Sequence, residues 1–471
     1  MKGPIYTSAD IRRIEQAAGN AAPPLMERAG SAAAELAAKL IAETSKDILV
    51  LAGPGNNGGD AHIAAEILKK KYFRVQLVTR PEELPDRMNW GLVIDGLFGI
   101  GLERPVEGDY RKLVEYANAL RCPILALDVP SGIQSDTGQV LGAAVRATHT
   151  LTFIALKPGL LTLDGPDHSG EVSVADLGLS AKDLLAPNAW ISDPELFRSV
   201  LKPRPRNFHK GVAGSLGILG GASGTTGAAL LAGRAALKLG AGRVYVGFPQ
   251  EDHLKVDPVS PELMLKHAED LLGLDLDAVL AGPGLGTSEH AATLVGAVLA
   301  SDMPCVLDAD ALNLMAGDEN LADACGRRTA QTLLTPHPAE AARLLGTSVA
   351  EVQADRIAAA QRISSTFKAH VVLKGNGSVL AARDGHWFIN ASGNPGMASA
   401  GMGDVLSGIL GALLAQRYTG ETTLVLGVHL HGAAADALVR SGSGPVGLTA
   451  SELIEPARRL WNEWLSHAAP R

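Results

Sequence analysis

One carboxylate, Asp404, stands inside a run of glycines and small residues: Asn394-Pro395-Gly396-Met397-Ala398-Ser399-Ala400-Gly401-Met402-Gly403-Asp404-Val405-Leu406-Ser407-Gly408. The apolar stretch Val405–Leu414 that follows reads as a buried helix. Backbone N–H groups at a glycine-rich helix start form an anion site, because they are unpaired and the helix dipole is positive there. A carboxylate at that place is poorly suited to holding phosphate. It is suited to taking a proton from a hydroxyl that attacks phosphorus. The structural alternative is a glycine-rich turn with Asp404 as the helix N-cap.

Other residues of the second half have types and spacings that fit nucleotide chemistry. Lys374-Gly375-Asn376-Gly377-Ser378 lies between two apolar runs. Its backbone amides and Ser378 would face a phosphate, with Lys374 as counter-charge. Asp308 and Asp310 could hold a metal through water, since magnesium takes carboxylates and keeps waters, or could cap their loop. His337 sits between two prolines. His429 and His431 are two apart on a helix, so they face different directions and make poor joint ligands.

The first half carries a different set. Gly53-Pro54-Gly55-Asn56-Asn57-Gly58-Gly59-Asp60 follows the apolar run Asp47–Leu51. It is neither GxGxxG nor a Walker A loop, and no Gly-Lys-Ser/Thr occurs in the chain. Asp95 leads into Gly99-Ile100-Gly101-Leu102-Glu103-Arg104-Pro105, where Arg104 could reach a phosphate. Asp128-Val129-Pro130-Ser131-Gly132 ends another strand, and Lys157-Pro158-Gly159 follows a third. Asn57, Asp95 and Ser131 together offer oxygen ligands, which suit a hard, weakly held cation rather than zinc. Lys157 either joins this site or is a solvated lysine at a strand end.

These residues need a scaffold that brings strand ends to one edge, and the pattern supplies it. Predicted strands are Asp47–Leu51, Val75–Thr79, Leu92–Ile94, Ile124–Leu127 and Leu151–Leu156 in the first half. In the second they are Gly214–Leu219, Arg243–Phe248, Ala278–Ala281, Cys305–Leu307, Thr332–Leu334, Val371–Leu373 and Val379–Ala382. Predicted helices include Ser8–Ala18, Pro24–Leu40, Ala61–Lys70 and Ala229–Leu239. Strand, polar loop and helix in alternation predict open α/β sheets with ligands at the strands' carboxyl ends. With 471 residues, more than one core is expected. Pro187, Pro194, Pro203 and Pro205 interrupt the pattern, so a linker is predicted near 186–197, with domains 1–195 and 196–471.

The net charge of −8 is spread along the chain, which gives no electrostatic footprint for nucleic acid or an anionic membrane. No apolar run reads as membrane-spanning. Cys122, Cys305 and Cys325 are isolated, which argues against zinc or a disulfide framework. The early charges Asp10, Arg12, Arg13 and Glu15 are unlike a signal peptide. A soluble cytoplasmic protein, assembled as a homo-oligomer, is the expectation.

Both halves resemble known families. The second resembles the ribokinase-like ADP/ATP-dependent NAD(P)H-hydrate dehydratases through His209-Lys210-Gly211, Gly220-Gly221, Gly282–Gly286, Asp308–Asn313, Thr335–Glu340, Lys374–Ser378 and Asn394–Gly408. The first resembles NAD(P)H-hydrate epimerases through Asn56–Asp60, Asp95 with Gly99–Arg104, Asp128–Gly132 and Lys157–Gly159. Together they look like the fused bifunctional NAD(P)H-hydrate repair family. The resemblance implies an N-terminal Rossmann-like three-layer αβα domain and a C-terminal ribokinase-like α/β domain.

The resemblance also implies roles. The substrates would be hydrated NADH and NADPH, carrying a hydroxyl at C6 of the nicotinamide ring, with ADP (and its magnesium) as phosphoryl donor. Asp404 would be the base; Ala228, Gly286 and His337 would contact the hydrate. Lys374, Gly375, Asn376, Gly377, Ser378, Gly401, Met402 and Gly403 would hold the nucleotide. In the epimerase, Asn56, Asn57, Gly58, Gly59, Asp60, Gly99, Ile100, Gly101, Leu102, Glu103, Arg104, Pro105 and Asp128 would bind substrate. Asp128 would act as acid/base with Lys157 beside it, and potassium would sit among Asn57, Asp95 and Ser131. Two positions depart from the epimerase pattern. Ala61 replaces a glycine, and Ile100 replaces a hydroxyl residue and so removes a phosphate hydrogen bond. Two competing readings are a ribokinase-like small-molecule kinase, which leaves the first half unexplained, and a nucleotide-binding scaffold whose first domain is inactive.

Overall fold

The computed structural model describes residues 2–19, 22–41, 45–85, 89–201 and 203–467. The chain forms two compact units, Met1–Ile191 and Ser192–Arg471.

Unit 1 is built on a parallel sheet of β1 (Asp47–Ala52), β2 (Val75–Val78), β3 (Trp90–Gly96), β4 (Ile124–Leu127), β5 (His149–Phe153) and β6 (Glu171–Ala175), in the order β2-β1-β3-β4-β5-β6. Alternate side chains of one strand go to opposite faces. Ile48 and Val50 pack with Ile14, Ala33 and Ala64 from the helices Ser8–Ala18, Leu25–Leu40 and Asn56–Lys70. Leu49 and Leu51 pack with Leu113, Val114 and Ala117 from the helix Gly108–Ala119. This is a three-layer αβα arrangement. A short strand, β7 (Ala189–Ile191), bonds back to the start of the chain through Ile5 N–H to Ala189 O at 2.9 Å and Ile191 N–H to Gly3 O at 3.0 Å.

In unit 2 the strands β8 (Ser215–Leu219), β9 (Arg243–Phe248), β10 (Met264–His267), β11 (Ala278–Ala281), β12 (Cys305–Leu307), β13 (Thr332–Leu334), β14 (His370–Leu373), β15 (Ser378–Ala381) and β16 (Trp387–Asn390) run in the order β10-β9-β8-β11-β12-β13-β14-β15-β16. The order is parallel through β14 and antiparallel for β15 and β16. One face buries Val279, Leu307, Leu334 and Val371 among helices. The helix Met402–Ala415 is buried from Val405 to Ala415 and lies against the helix Thr226–Lys238. The helix Gly420–Arg440 is long and apolar enough by composition to cross a membrane, an exception to the expectation from sequence, but 67% of its apolar window is buried inside the structure.

Several element bounds differ from those expected. The helix predicted from Ala61 begins at Asn56, with Gly55 as an extended N-cap. Asn56, Asn57, Gly58, Gly59 and Asp60 are therefore helical residues rather than a loop. Their composition reads as a turn, but Gly58 lets the helix start press on β1's exit: a Cβ there would lie 1.9 Å from Gly53 O. The strand predicted to reach Leu156 stops at Phe153, because Ile154 takes φ 68°, which no strand residue adopts. The buried chain from Ile154 to Leu156 is irregular and delivers Lys157. The helices expected at Ala229 and Val405 begin three residues earlier, at Thr226 and Met402. Strands β6 and β10 escape sequence reading because they are half-exposed edge strands without an apolar run.

Candidate functional site

In unit 2 the cluster is organised by the start of the helix Met402–Ala415. Gly401 is its N-cap with φ 86°, a left-handed conformation that glycine adopts without steric cost. Met402, Gly403 and Asp404 form the first turn, where N–H groups lack intrahelical acceptors. Asp404 is thus inside the helix and is not the N-cap. Beside it, Lys374 at the end of β14 places Nζ 2.9 Å from Asp308 Oδ1. A Cβ on Gly403 would stand 3.5 Å from that Nζ and 3.8 Å from Asp308 Oδ2, so the lysine and aspartate lie directly against the first turn. The Ser407 hydroxyl donates to Asp308 Oδ2 and lies 2.9 Å from Gly403 O.

The charges divide the two aspartates. Burial pushes the Asp404 carboxyl up to about 6, helped by the neighbouring Asp308 and opposed by Lys374. Burial also acts against Asp308, but Lys374 and Ser407 outweigh it and hold that carboxyl below its usual range. Burial lowers Lys374, and the Asp308 and Glu340 carboxylates outweigh it, so the ammonium is held above the usual lysine value. Asp308 is the anchor of a fixed ion pair, and Asp404 is the carboxylate left to take a proton.

The remaining residues of unit 2 frame this cluster. His337 caps the helix Pro338–Leu345: its Nδ1 accepts from the N–H of Ala339 at 3.1 Å and of Glu340 at 3.3 Å. Its Nε2 lies 3.2 Å from Glu340 Oε1, and Glu340 Oε2 is 3.8 Å from Lys374 Nζ. Lys374 N–H donates to Pro336 O at 2.9 Å, which ties the two loops together. Gly286 N–H donates to Asp310 Oδ2 at 2.8 Å. The glycine loops before Ala228 and before Gly286 are joined by Ala222 N–H to Gly284 O at 2.6 Å and Thr225 Oγ1 to Gly284 O at 2.8 Å. The Ser378 hydroxyl donates to Gly375 O at 3.0 Å, closing the Gly375–Ser378 turn that contains Asn376 and Gly377. The buried Arg356 guanidinium holds this turn through Leu373 O at 3.2 Å and Lys374 O at 3.3 Å. His431 is buried and His429 half-buried, and desolvation lowers both, His431 to about 4.

Unit 1 gathers a second cluster at the carboxyl ends of β3, β4 and β5. Lys157 is fully buried, not solvated. Its Nζ meets Asp128 Oδ1 at 2.5 Å, Thr152 Oγ1 at 2.9 Å and Phe153 O at 2.6 Å, which uses all three ammonium hydrogens. Asp128 itself holds φ 64°, a strained value for a non-glycine residue and one that clusters at functional sites. Asp60, 7% exposed, is pushed up to about 8 by burial, then by Asp128 and Glu15. Burial, with Asp128, also raises Glu15 on the first helix. A Cβ on Gly99 would stand 3.1 Å from Asp128 Oδ2 and 3.4 Å from Asn57 Cγ, so the Gly99 loop edges the same place. Within that loop Ile100 is half-buried, Leu102 is buried, and Gly101, Glu103, Arg104 and Pro105 are exposed.

Asp95 is fully buried, and Ser131 occupies both its oxygens: the N–H at 2.8 Å and the hydroxyl at 2.7 Å. Phe98 N–H donates to Ser131 Oγ at 2.8 Å. Burial lifts Asp95 to about 6 against these bonds. Asn57 is buried with both amide atoms, Oδ1 and Nδ2, lacking a hydrogen-bond partner among the described residues. Such an orphan is costly unless something else meets it.

Sequence reading passed over Glu15, Thr152, Ser407 and Arg356. Ser407 had a signal, since it is three residues from Asp404 on the same helix. Glu15 and Arg356 had none, because their neighbours are more than a hundred residues away or on another element.

Comparison with known proteins covers both units. A family model described as NAD(P)H-hydrate dehydratase matches residues 216–458, and one described as YjeF-related protein N-terminus matches residues 23–91 and 81–159. The chain is 37% identical to the bifunctional NAD(P)H-hydrate repair enzyme Nnr of Escherichia coli (strain K12), over 97% of this chain and 94% of the relative. It is also 37% identical to the enzyme of that name from Coxiella burnetii, over 97% and 99%. Among solved structures, unit 2 resembles the ADP/ATP-dependent NAD(P)H-hydrate dehydratase from Bacillus subtilis co-crystallised with ATP and Mg2+, with TM-score 0.52 and 30% identity, covering 58% of this chain and 98% of that one.

Proposed function

Since the chain belongs to the bifunctional NAD(P)H-hydrate repair family, we propose that its two units carry one repair reaction each. Unit 2 dehydrates the S form of hydrated NADH or NADPH at the expense of ADP. Unit 1 interconverts the R and S forms at C6. The observation that carries this reading is Asp404 in the first turn of the Met402–Ala415 helix, with Lys374 beside it held by a different carboxylate.

In unit 2, Asp404 takes the proton of the C6 hydroxyl as its oxygen attacks the terminal phosphoryl group of ADP. The N–H groups of Gly401, Met402 and Gly403 and the Lys374 ammonium stabilise the charge that develops on that group. The phosphate ester then leaves C6 as phosphate while C5 loses a proton to solvent, which restores the dihydropyridine ring, and AMP is the other product. Lys374–Ser378 and Gly403 hold the nucleotide; Ala228, Gly286, His337 and Asp404 contact the hydrate. Asp308 is occupied by Lys374 and Ser407, so Asp310, with one oxygen on Gly286 N–H, is the carboxylate placed to reach the magnesium that ADP brings. Magnesium would neutralise phosphate charge.

In unit 1, Asn56–Asp60, Gly99–Pro105 and Asp128 bind the hydrate, and Asp128 with Lys157 moves the proton. The orphaned Asn57 carbonyl, with Asp95 and Ser131, fits an oxygen-ligated cation of potassium type. It would supply positive charge beside the substrate's phosphates. Residues 1–195 and 196–471 act as separable pieces, in the cytoplasm and as a homo-oligomer. The kinase reading leaves unit 1 without a task, and a scaffold would not need a raised, unpaired Asp404.

The test is incubation of mixed R and S NADPH hydrate with ADP and the full chain. Return of reduced-cofactor absorbance for the whole mixture supports both activities. Return for half of it supports unit 2 alone. No return, with the chain folded, removes the reading.

A further inference from the structure

At the opposite end of the Met402–Ala415 helix from Asp404, unit 2 has a cavity of about 500 Å³. Its walls include Arg204, Phe208, Arg417, Tyr418, Trp461 and Leu465. The helix has 14 residues, so the cavity lies about 20 Å from Asp404 at the usual rise per residue, and it has its own lining residues. Its volume is that of small-molecule sites.

The chemistry of the walls selects a ligand. No carboxylate is among the lining residues, and two guanidinium groups are. Arg204 uses Nη2 for Gly240 O and Gln416 Oε1, both at 2.6 Å, and its guanidinium carbon lies 4.5 Å over the Phe208 ring. These contacts fix the plane of the group and leave Nη1 and Nε without a hydrogen bond among the described residues. Arg417 places Nε and Nη2 on Asp277 Oδ1 at 3.3 and 3.1 Å, which leaves Nη1. The rings of Tyr418 and Trp461 meet edge to face with centroids 6.0 Å apart. Trp461 is only 4% exposed. Its indole N–H and the Tyr418 hydroxyl make no hydrogen bond among the described residues, and neither is among the fully buried orphaned atoms, so both are open to solvent at the cavity wall. Donors open at a cavity wall are available to a ligand's acceptor. Thr419 and Thr422, at the start of the helix Gly420–Arg440, add hydroxyls on the same side.

We propose that this cavity is a second binding site, for a flat ring carrying a phosphate, in the size class of a nucleoside monophosphate. The phosphate meets Arg204, Arg417 and Tyr418, since guanidinium forks match phosphate oxygens. The ring lies against Trp461 and Phe208. The assignment does not rest on the dehydratase reading of the Asp404 cluster, although that reaction releases such a molecule.

AMP titrated into the full chain, with tryptophan emission as readout, tests the proposal. The expected result is a saturable change that is absent from Trp461→Phe and persists in Lys374→Met, whose lesion is at the other cluster. Arg204→Gln and Arg417→Gln each weaken AMP at least tenfold while S-hydrate dehydration stays at the wild-type rate, which also reports that they fold. Arg417 is exposed, so its variant carries the test if Arg204→Gln does not fold. Adenosine binding as tightly as AMP would overturn the phosphate assignment. A signal lost in Lys374→Met but kept in the arginine variants would overturn the site, because AMP would then be reading the Asp404 cluster only.

Discussion

Each unit sets a carboxylate beside a lysine, fully buried in unit 1 and half-buried in unit 2, at the carboxyl edge of a parallel sheet, and each uses the lysine differently. In unit 1, Lys157 touches Asp128 itself and spends its other hydrogens on Thr152 and Phe153. In unit 2, Lys374 is held by Asp308, and Asp404 stands beside the pair without joining it. A lysine bonded to the working carboxylate fixes that group's position and its partner in proton exchange. A lysine held by a second carboxylate keeps its charge for phosphate and leaves the working carboxylate available as a base. The first arrangement suits giving and taking a proton on the hydrate while the C6 centre is only inverted. The second suits phosphoryl transfer, in which one group must accept a proton while another neutralises developing charge.

Breaking the lysines one at a time sharpens the contrast. Lys157→Met should lower R-to-S epimerisation by about 10²–10⁴-fold, the usual range for loss of acid/base assistance, and leave dehydration of pure S hydrate unchanged. Rates on separated epimers measure this. An equal fall in both activities would mean that Lys157 supports the fold rather than a reaction.

On the other side, Asp308→Ala leaves the half-buried Lys374 without its main partner. Losing a charged hydrogen-bond partner costs about 1.5–3 kcal/mol, so denaturant unfolding of unit 2 should shift by that order. A shift below about 1 kcal/mol, the range of exposed pairs, would show that Lys374 does not depend on Asp308.

The smallest effect concerns pH. Asp404 must be deprotonated to act as a base, and its carboxyl is raised to about 6. The dehydration rate should therefore fall as pH drops through about 6, losing about tenfold between pH 7 and pH 5. An ordinary aspartate would hold the rate nearly constant down to about pH 5. A flat profile over that window would place the base elsewhere.

Much of this arrangement was legible in the sequence, and the illegible part has a physical cause. Strands such as Ala278–Ala281 and Cys305–Leu307 are continuous apolar runs, because both faces of a parallel sheet are covered. Asp404 could be recognised because its partners in the argument, Gly401 to Gly403, are its neighbours in the chain. The ion pair of Asp308 with Lys374 spans 66 residues, and that of Asp128 with Lys157 spans 29, so neither could be read from spacing. The helical start at Asn56 was hidden for the opposite reason. Asn, Gly and Asp favour turns locally, and packing of Gly58 on Gly53 overrides that preference.

The claim on which the account rests is that Asp404 is the base of the dehydratase. Asp404→Asn keeps the shape of the side chain but cannot accept the proton. Steady-state turnover of S hydrate by this variant, with ADP affinity measured by calorimetry on the same sample, tests the claim directly. The account predicts a rate lower by about 10²–10⁴-fold with ADP affinity little changed, because the nucleotide is held by Lys374–Ser378 and the amides of the first turn. Near-normal turnover would contradict it and would remove Asp404 from the mechanism.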